Sequence, residues 1–398
     1  MATLKINCPI CNHDDSKKIL ELKTGNFDQS TLYTNIKIYT CLNCGHIFNY
    51  LSADEINGLF NYYQEEKALS NANSQDKQGD IPGSNNPKTI SRYQDFFSFI
   101  KKYLSKEAQI LDLGFSKGGF IKFLKEQGYQ NSFDIDVVDN YLSKNQAGEA
   151  IPFADNSFDF FILDRVVDHL VDPAKAIREA RRVLKPGGIL CLGISDASRY
   201  DKNYFFDFYW FLLREHTQHF DLTHINLLAN QENFELIDKI EDDTVMMNET
   251  MVMPALNLIF RLSDKPINET NQADKFILSK QTENYINNNL SKLKIRQEFF
   301  NGLSEKQQPL YVWGIGREFF YLYEMAGLKH CNIKGLIDTN PYKQKSLTVD
   351  GSSIQSEEIL KQANESAGLL ITAMAHSDII KTGLQQKDYK MNYLTFNR

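Results

Sequence analysis

An α/β architecture is predicted by three features of this 398-residue chain. From about residue 90, amphipathic helical segments alternate with short apolar runs of strand length, a pattern that yields a largely parallel sheet with covered faces. One strand-like run, ILDLG, ends in a glycine turn that opens a helix. A second β-α-β pattern returns near the C-terminus.

In chain order, residues 1–65 hold CPIC, the alternating stretch TLYTNIKIYT and CLNC, and form a small zinc-binding domain. Residues 66–89 are a linker, because SNANSQDKQGDIPGSNNPK has almost no large apolar side chain to offset its ordering entropy. The main domain spans 90–265. SRYQDFFSFIKKYL is an amphipathic helix, QILDLG a strand, KGGFIKFLKEQG a helix ended by Gly128, and NSFDIDV and FDFFILD strands. DPAKAIREARRVLKPGG is a helix stopped by Pro186 and Gly187, and GILCLGIS is a strand. ENFELIDKIEDD and PALNLIFRLS, with no long helix between them, form an antiparallel pair at the sheet's end. Residues 266–303 are a polar helical connector. Residues 304–398, with PLYVWGIG, REFFYLYEMAGL, NIKGLIDTN and AGLLITAM, form half of a doubly wound sheet.

Composition narrows the function. Hydrophobic content of 42% and charged content of 24% are globular values, and the length implies two or three domains. A net charge of -7 argues against nucleic-acid binding, since no basic surplus exists to neutralise phosphates, and Arg181 and Arg182 are read as a solvated helix face. No apolar run reaches the ~18 residues of a membrane span, and the start lacks the layout of a signal peptide, so a cytoplasmic protein is expected. Cys8, Cys11, Cys41 and Cys44 form two CxxC knuckles. Four thiolates with no open position suit a structural tetrahedral zinc ion. Cys191 and Cys331 are read as buried thiols.

In ILDLGFSKGGF, Asp112 precedes Gly114, Gly118 and Gly119, and the glycines let a ligand approach the backbone. The spacing matches neither the dinucleotide nor the phosphate-loop fingerprint. Asp136 ends the next strand 22 residues after Gly114, where its carboxylate can accept hydrogen bonds from both ribose hydroxyls. Asp134, one pleat deeper on the same face, is the competing choice.

Residues 110–195 resemble class I S-adenosylmethionine-dependent methyltransferases in three stretches: ILDLGFSKGGF, FDID, and AIPFADNSFDFFILDRVVDHLVDPAKAIREARRVLKPGGIL. The resemblance implies a seven-stranded Rossmann-like sheet and S-adenosylmethionine as cofactor. It implies that Asp112, Gly114, Phe115, Ser116 and Gly118 wrap the methionine part, and that Asp136 holds the ribose. Glu149, Ala150 and Ile151 then lie against adenine, while Asp164 and Arg165 face the methyl group and substrate. Ser116 stands where the family often has glycine.

The whole layout resembles sugar-nucleotide C-methyltransferases, which join a four-cysteine zinc domain, a methyltransferase domain and a C-terminal Rossmann-like domain. REHTQHF, from Arg214 to Phe220, is similar to their HEHxxYF motif, with Arg214 at the first His and His219 at the Tyr. SRYQDFF resembles an SSYS-type segment carrying Tyr93, and VWGIG with LIDTNPYKQ resembles their last domain. The implied substrate is a nucleotide-linked keto or deoxy sugar, with no nucleic-acid partner.

Methylation of carbon beside a keto group needs a base to make an enolate and a donor to hold the oxygen. His216 is the candidate general base, with Glu215 orienting it or acting as base. Tyr93 and His219 are the candidates to bind the sugar or its keto oxygen. His216 and His219 share a face if their segment is helical. Two other readings are an O- or N-methyltransferase and a non-catalytic binding module. In the last domain Asp338 lies 22 residues after Gly316 and mimics a ribose acid, so a nicotinamide-dependent dehydrogenase competes with a substrate-clamping role.

Overall fold

A computed structural model describes residues 5–26, 29–72, 87–114, 118–136, 151–201, 206–246, 251–267, 275–364, 366–387, 389 and 391–394. Three sheets organise it.

The N-terminal sheet contains β1 (Ser16–Lys23), β2 (Asn35–Cys41) and β3 (Ile47–Asn49), all antiparallel, followed by helix α1 (Ala53–Ala72). Leu22, Ile36, Ile38 and Ile47 alternate inward and are fully buried.

The central unit begins with α2 (Pro87–Ile100). It continues through β4 (Ile110–Gly114), α3 (Gly119–Glu126), β5 (Ser132–Asp136), β6 (Phe158–Asp164), α4 (Pro173–Val183) and β7 (Leu184–Ser195). Asp172 caps α4 through the Lys175 amide at 3.1 Å, with Pro173 in the first turn, as capping preferences require. After β7 come β8 (Gln218–His219), α5 (Leu222–Asn230), β9 (Phe234–Met246) and β10 (Met251–Leu262). The sheet order is β5-β4-β6-β7-β10-β9. The first four strands are parallel, and β10 and β9 run antiparallel at the edge, as expected. Six strands are present among the described residues, where seven were expected; residues 137–150, between β5 and β6, lie outside the description.

One local expectation is corrected. LKPGG belongs to β7, not α4: the helix ends at Val183, because Pro186 forces the residue before it out of the helical region. Of the two conformations open to the segment 214–220, the helical one is not adopted. The segment turns and then forms β8, which pairs antiparallel with β3 and becomes the fourth strand of the N-terminal sheet.

The long helix α6 (Ile277–Glu305) follows the central sheet. It buries Leu278, Tyr285, Leu293 and Phe300, so the polar connector has one apolar seam. The C-terminal sheet contains β11 (Leu310–Trp313), α7 (Arg317–Met325), β12 (Ile333–Ile337), α8 (Pro341–Ser346), β13 (Thr348–Val349), β14 (Ser352–Gln355), β15 (Gly368–Ile371), α9 (Ser377–Gln386) and β16 (Asn392–Leu394). Its order is β13-β14-β12-β11-β15-β16, with only β13 antiparallel. The sheet extends to both sides of β11, so it is more than the half-sheet expected. The extra strands are two to four residues long, too short for a periodic signal. Among the described residues, no helix is long and apolar enough to cross a membrane.

Candidate active site

Four cysteine sulfurs come together at the end of the N-terminal sheet, within 4.8 Å of one another. Cys8 Sγ is 3.7 Å from Cys44 Sγ, and Cys11 Sγ is 3.5 Å from Cys41 Sγ. Sulfurs at the corners of a tetrahedron around zinc stand about 3.8 Å apart, so the cluster fits that ion. The amides of Asn43 and Cys44 face Cys41 Sγ at 3.4 and 3.5 Å, favouring the thiolate form.

At the carboxyl ends of the central strands, β4 and β6 bring two carboxylates together. Asp112 is buried, and its carboxyl is pushed up to about 8, first by burial and then by Asp164 and Asp134. Asp164 ends β6 and binds Arg92 of α2 at 2.6 Å. Its other oxygen, Oδ1, has no hydrogen-bond partner among the described residues; Arg165 Nε stands 3.9 Å away. Gly193 on β7 makes room for it, since a Cβ there would lie 2.3 Å from Asp164 Oδ1. Gly118 opens α3 with φ of +70°, and a Cβ on it would lie 2.7 Å from Asp134 Oδ2. A carboxylate, Asp164, with one buried oxygen unpartnered among the described residues and a glycine cradle beside it suits a cationic ligand whose backbone contact is close, and S-adenosylmethionine meets both requirements.

Of the expected cofactor residues, Phe115, Ser116, Glu149 and Ala150 lie outside the described residues, as does the side chain of Asp136. Asp136 pairs with Gly114 at the end of the sheet, while the exposed Asp134 lines an open cleft with Gly118 and Lys122. Ile151 is held by α4: its amide donates to Glu179 at 2.8 Å, and Arg182 donates to the carbonyls of Ile151 and Phe153 at 2.9 and 2.8 Å. Arg182 is therefore a clamp on this segment, not part of a solvated face. Its i,i+3 pairing with Glu179 was the available signal.

The segment 214–219 lies between the N-terminal sheet and the loop after β6. Thr217 donates its amide to Asp168 O at 2.8 Å and its hydroxyl to Leu170 O at 2.9 Å. His216 is buried, and its ring meets His169 edge-on at 4.7 Å. Burial holds its imidazole neutral, well below the usual range, with His169, His219, Arg317 and Arg165 adding to the effect. Its Nδ1 has no partner among the described residues. His169 is lowered to about 4 by burial, and its Nδ1 lies 2.8 Å from the Tyr63 hydroxyl of α1. Glu215 stands 3.6 Å from Arg317, the first residue of α7. Five side chains from four parts of the chain thus converge: Tyr63, His169, Glu215, His216 and Arg317. Sequence reasoning named only Glu215 and His216. His169 sits in the VDHL after β6, where no local spacing marks it as functional.

The other two expected residues stand apart. His219 is directed away from a substrate role, because Tyr200 and Asn49 engage its two ring nitrogens, each at 3.1 Å. Tyr93 is buried against Phe120 and Phe123, and its neighbour Arg92 is the α2 residue that reaches Asp164. The aromatic residues of 206–211 are core packing, with Phe206, Trp210 and Phe211 at most 1% exposed.

The C-terminal glycine turn is closed by its own acid. Asp338 accepts from the amides of Ile315 and Asn340, each at 2.9 Å, and from Lys343 at 2.8 Å. Its carboxylate is spent inside the chain, which disfavours the dehydrogenase reading.

Comparison with known proteins gives the same frame. A family model described as "Methyltransferase domain" matches residues 111–192. An uncharacterized methyltransferase of Schizosaccharomyces pombe is 32% identical over 144 residues, covering 30% of this chain and 50% of that protein. A ubiquinone/menaquinone biosynthesis C-methyltransferase of Rickettsia felis is 36% identical over 83 residues, covering 21% of this chain and 32% of that one. The chain thus spans half or less of the length of these relatives. A Methanosarcina mazei SAM-dependent methyltransferase structure is 20% identical, covers 42% of this chain and 98% of that one, and has a TM-score of 0.33. With the matched family model and the β4–β7 core in agreement, the chain carries a class I S-adenosylmethionine-dependent methyltransferase domain.

Proposed function

We propose that the chain methylates a carbon of a nucleotide-linked keto or deoxy sugar, through an enolate, in the cytoplasmic assembly of a surface polysaccharide or deoxysugar. The carrying observation is the buried, neutral His216 with an unpartnered Nδ1, beside His169 and within electrostatic reach of Arg165 at the end of β6. A neutral imidazole is in the form that can accept a proton, and its Nδ1 lone pair has no partner among the described residues. The acceptor class is supported by the resemblance of the whole layout to sugar-nucleotide C-methyltransferases, and carbon methylation also by the Rickettsia relative's name. The reading takes residues 1–65 as a zinc domain, 90–265 as the methyltransferase domain and 304–398 as the substrate clamp.

S-adenosylmethionine supplies, when bound, an electrophilic methyl carbon. Asp136 holds its ribose, Ile151 lies on the adenine side, and Asp164 favours the positive charge. His216 takes the proton from the carbon beside the keto group, with Glu215 and Arg317 fixing the segment's outer side. His169, bonded to Tyr63, stands where a proton can be passed on. Tyr93 lines the cofactor side.

Incubation with methyl-labelled cofactor and a panel of keto-sugar nucleotides tests the proposal. A one-methyl mass gain, with solvent deuterium entering the adjacent carbon, is expected. Binding without turnover across the panel overturns it. His216→Ala should bind cofactor normally and turn over ~10²-fold or more slowly.

A further inference from the structure

The four-cysteine unit touches the segment that carries His216 at every level of its structure. Strand β3 begins three residues after Cys44 and pairs with β8 through Ile47–His219 and Phe48–Gln218. Asn49, the last residue of β3, is 5% exposed. Its amide N–H donates to Thr217 O at 2.9 Å. Its side-chain Nδ2 donates to His216 O at 2.9 Å and to the Tyr33 hydroxyl at 3.0 Å. Its Oδ1 lies 3.1 Å from His219 Nε2. The His216 carbonyl can only accept, so the amide NH2 must face that side, and the Oδ1 must face the imidazole. His219 therefore carries its proton on Nε2 and accepts the Tyr200 hydroxyl on Nδ1, 3.1 Å away. Tyr33 in turn donates to Arg214 O at 2.6 Å.

A second line of contacts crosses the same segment. His46, two residues past Cys44, bonds Gln218 Oε1 at 3.0 Å, and Gln218 Nε2 donates to Leu170 O at 3.0 Å. Leu170 directly follows His169. The hairpin that holds two of the four thiols is thus joined through Asn49 to the His216 carbonyl, and through His46 and Gln218 to the carbonyl of Leu170, the residue after His169.

We propose that the four-cysteine unit is a positioning device for the active site: metal in the cysteine cluster fixes β3, and Asn49 of β3 fixes the backbone and ring geometry of residues 214–219. Asn49 is a positioning residue, acting through His216 and His219. Loss of the metal releases this segment first and leaves the β4–β7 core intact. The idea rests on the reading of His216 as the base only for its catalytic consequence; the coupling itself is independent of that reading.

Hydrogen exchange on the full chain tests the coupling without any acceptor substrate. A chelator is added until metal analysis shows loss of the ion. Exchange at 216–220 should then speed up by roughly tenfold or more, the scale of losing one or two buried hydrogen bonds. Protection of β4, β6 and β7, and calorimetric affinity for S-adenosylhomocysteine, should stay within about twofold of the loaded protein. Asn49→Ala, with the metal retained, should give the same local speeding and shift the ring resonances of His216 and His219; Asn49→Asp, which keeps one acceptor and loses the donor, should do so partly. Unchanged protection at 216–220 after metal loss overturns the proposal, and so does equal loss across β4–β7. Should the local release occur while His216→Ala keeps full turnover, the coupling stands and the assignment of the base falls.

Discussion

Two glycine turns in this molecule follow the first strand of a parallel sheet, and each faces an acid 22 residues on: Gly114 with Asp136, and Gly316 with Asp338. The motif is alike and the surroundings are not. At the C-terminal turn the carboxylate is closed off by two amides and Lys343, which also donates to Ile315 O at 2.8 Å. At the central turn Asp112 is raised toward its protonated form, and Asp164 Oδ1 has no hydrogen-bond partner among the described residues. A glycine turn with an acid can thus be closed by its own chain, and at Asp338 two amides and a lysine five residues beyond the acid do so.

Substitutions can break or sharpen this contrast. The largest effect is expected at Asp112. Its carboxyl is raised in the fold to about 8, so the native state keeps a proton that the unfolded chain loses near the usual carboxylate value. Stability is lost as pH rises between those two values. Asp112→Asn should come close to the parent at pH 4 and exceed it at pH 8 by on the order of 5 kcal/mol in urea unfolding. A difference that does not depend on pH contradicts a buried, protonated acid. Next, Asp136→Ala should weaken S-adenosylhomocysteine binding by ~10²-fold in calorimetry, the scale of two lost charge-assisted hydrogen bonds. Unchanged affinity points to Asp134. Asp338→Ala should leave that affinity alone but cost about 2 kcal/mol of stability, because Lys343 and two amides lose their acceptor; the parent should show no calorimetric heat with NAD. Smallest, Gly118→Ala should cost about 1 kcal/mol through its positive φ, with weaker cofactor binding from the displaced Asp134.

The features legible in the sequence were those written in short spacings. The cysteine knuckles, the strand–helix alternation and the β9–β10 pair each announce themselves within a dozen residues or so. Hidden features depend on residues far apart in the chain. Nothing around Gln218 signals a strand, because a two-residue strand has no period and its partner is Phe48. His169 becomes notable only once Tyr63 and His216 are seen against its ring. For Arg182 the i,i+3 spacing from Glu179 marks an ion pair, but nothing local marks its reach back to the Ile151 and Phe153 carbonyls. Lys343 lies in a helix of six residues, and its hold on Asp338 could have been suspected only from the i,i+5 reach across the strand end.

The β3–β8 pairing also bears on how the chain acquires its structure. The first three strands are complete by residue 49, yet the strand that covers β3 lies about 170 residues later. During synthesis at ~5–20 residues per second, β3 stays an open edge for roughly ten to thirty seconds. An isolated fragment of residues 1–65 keeps that edge permanently and is expected to self-associate through it.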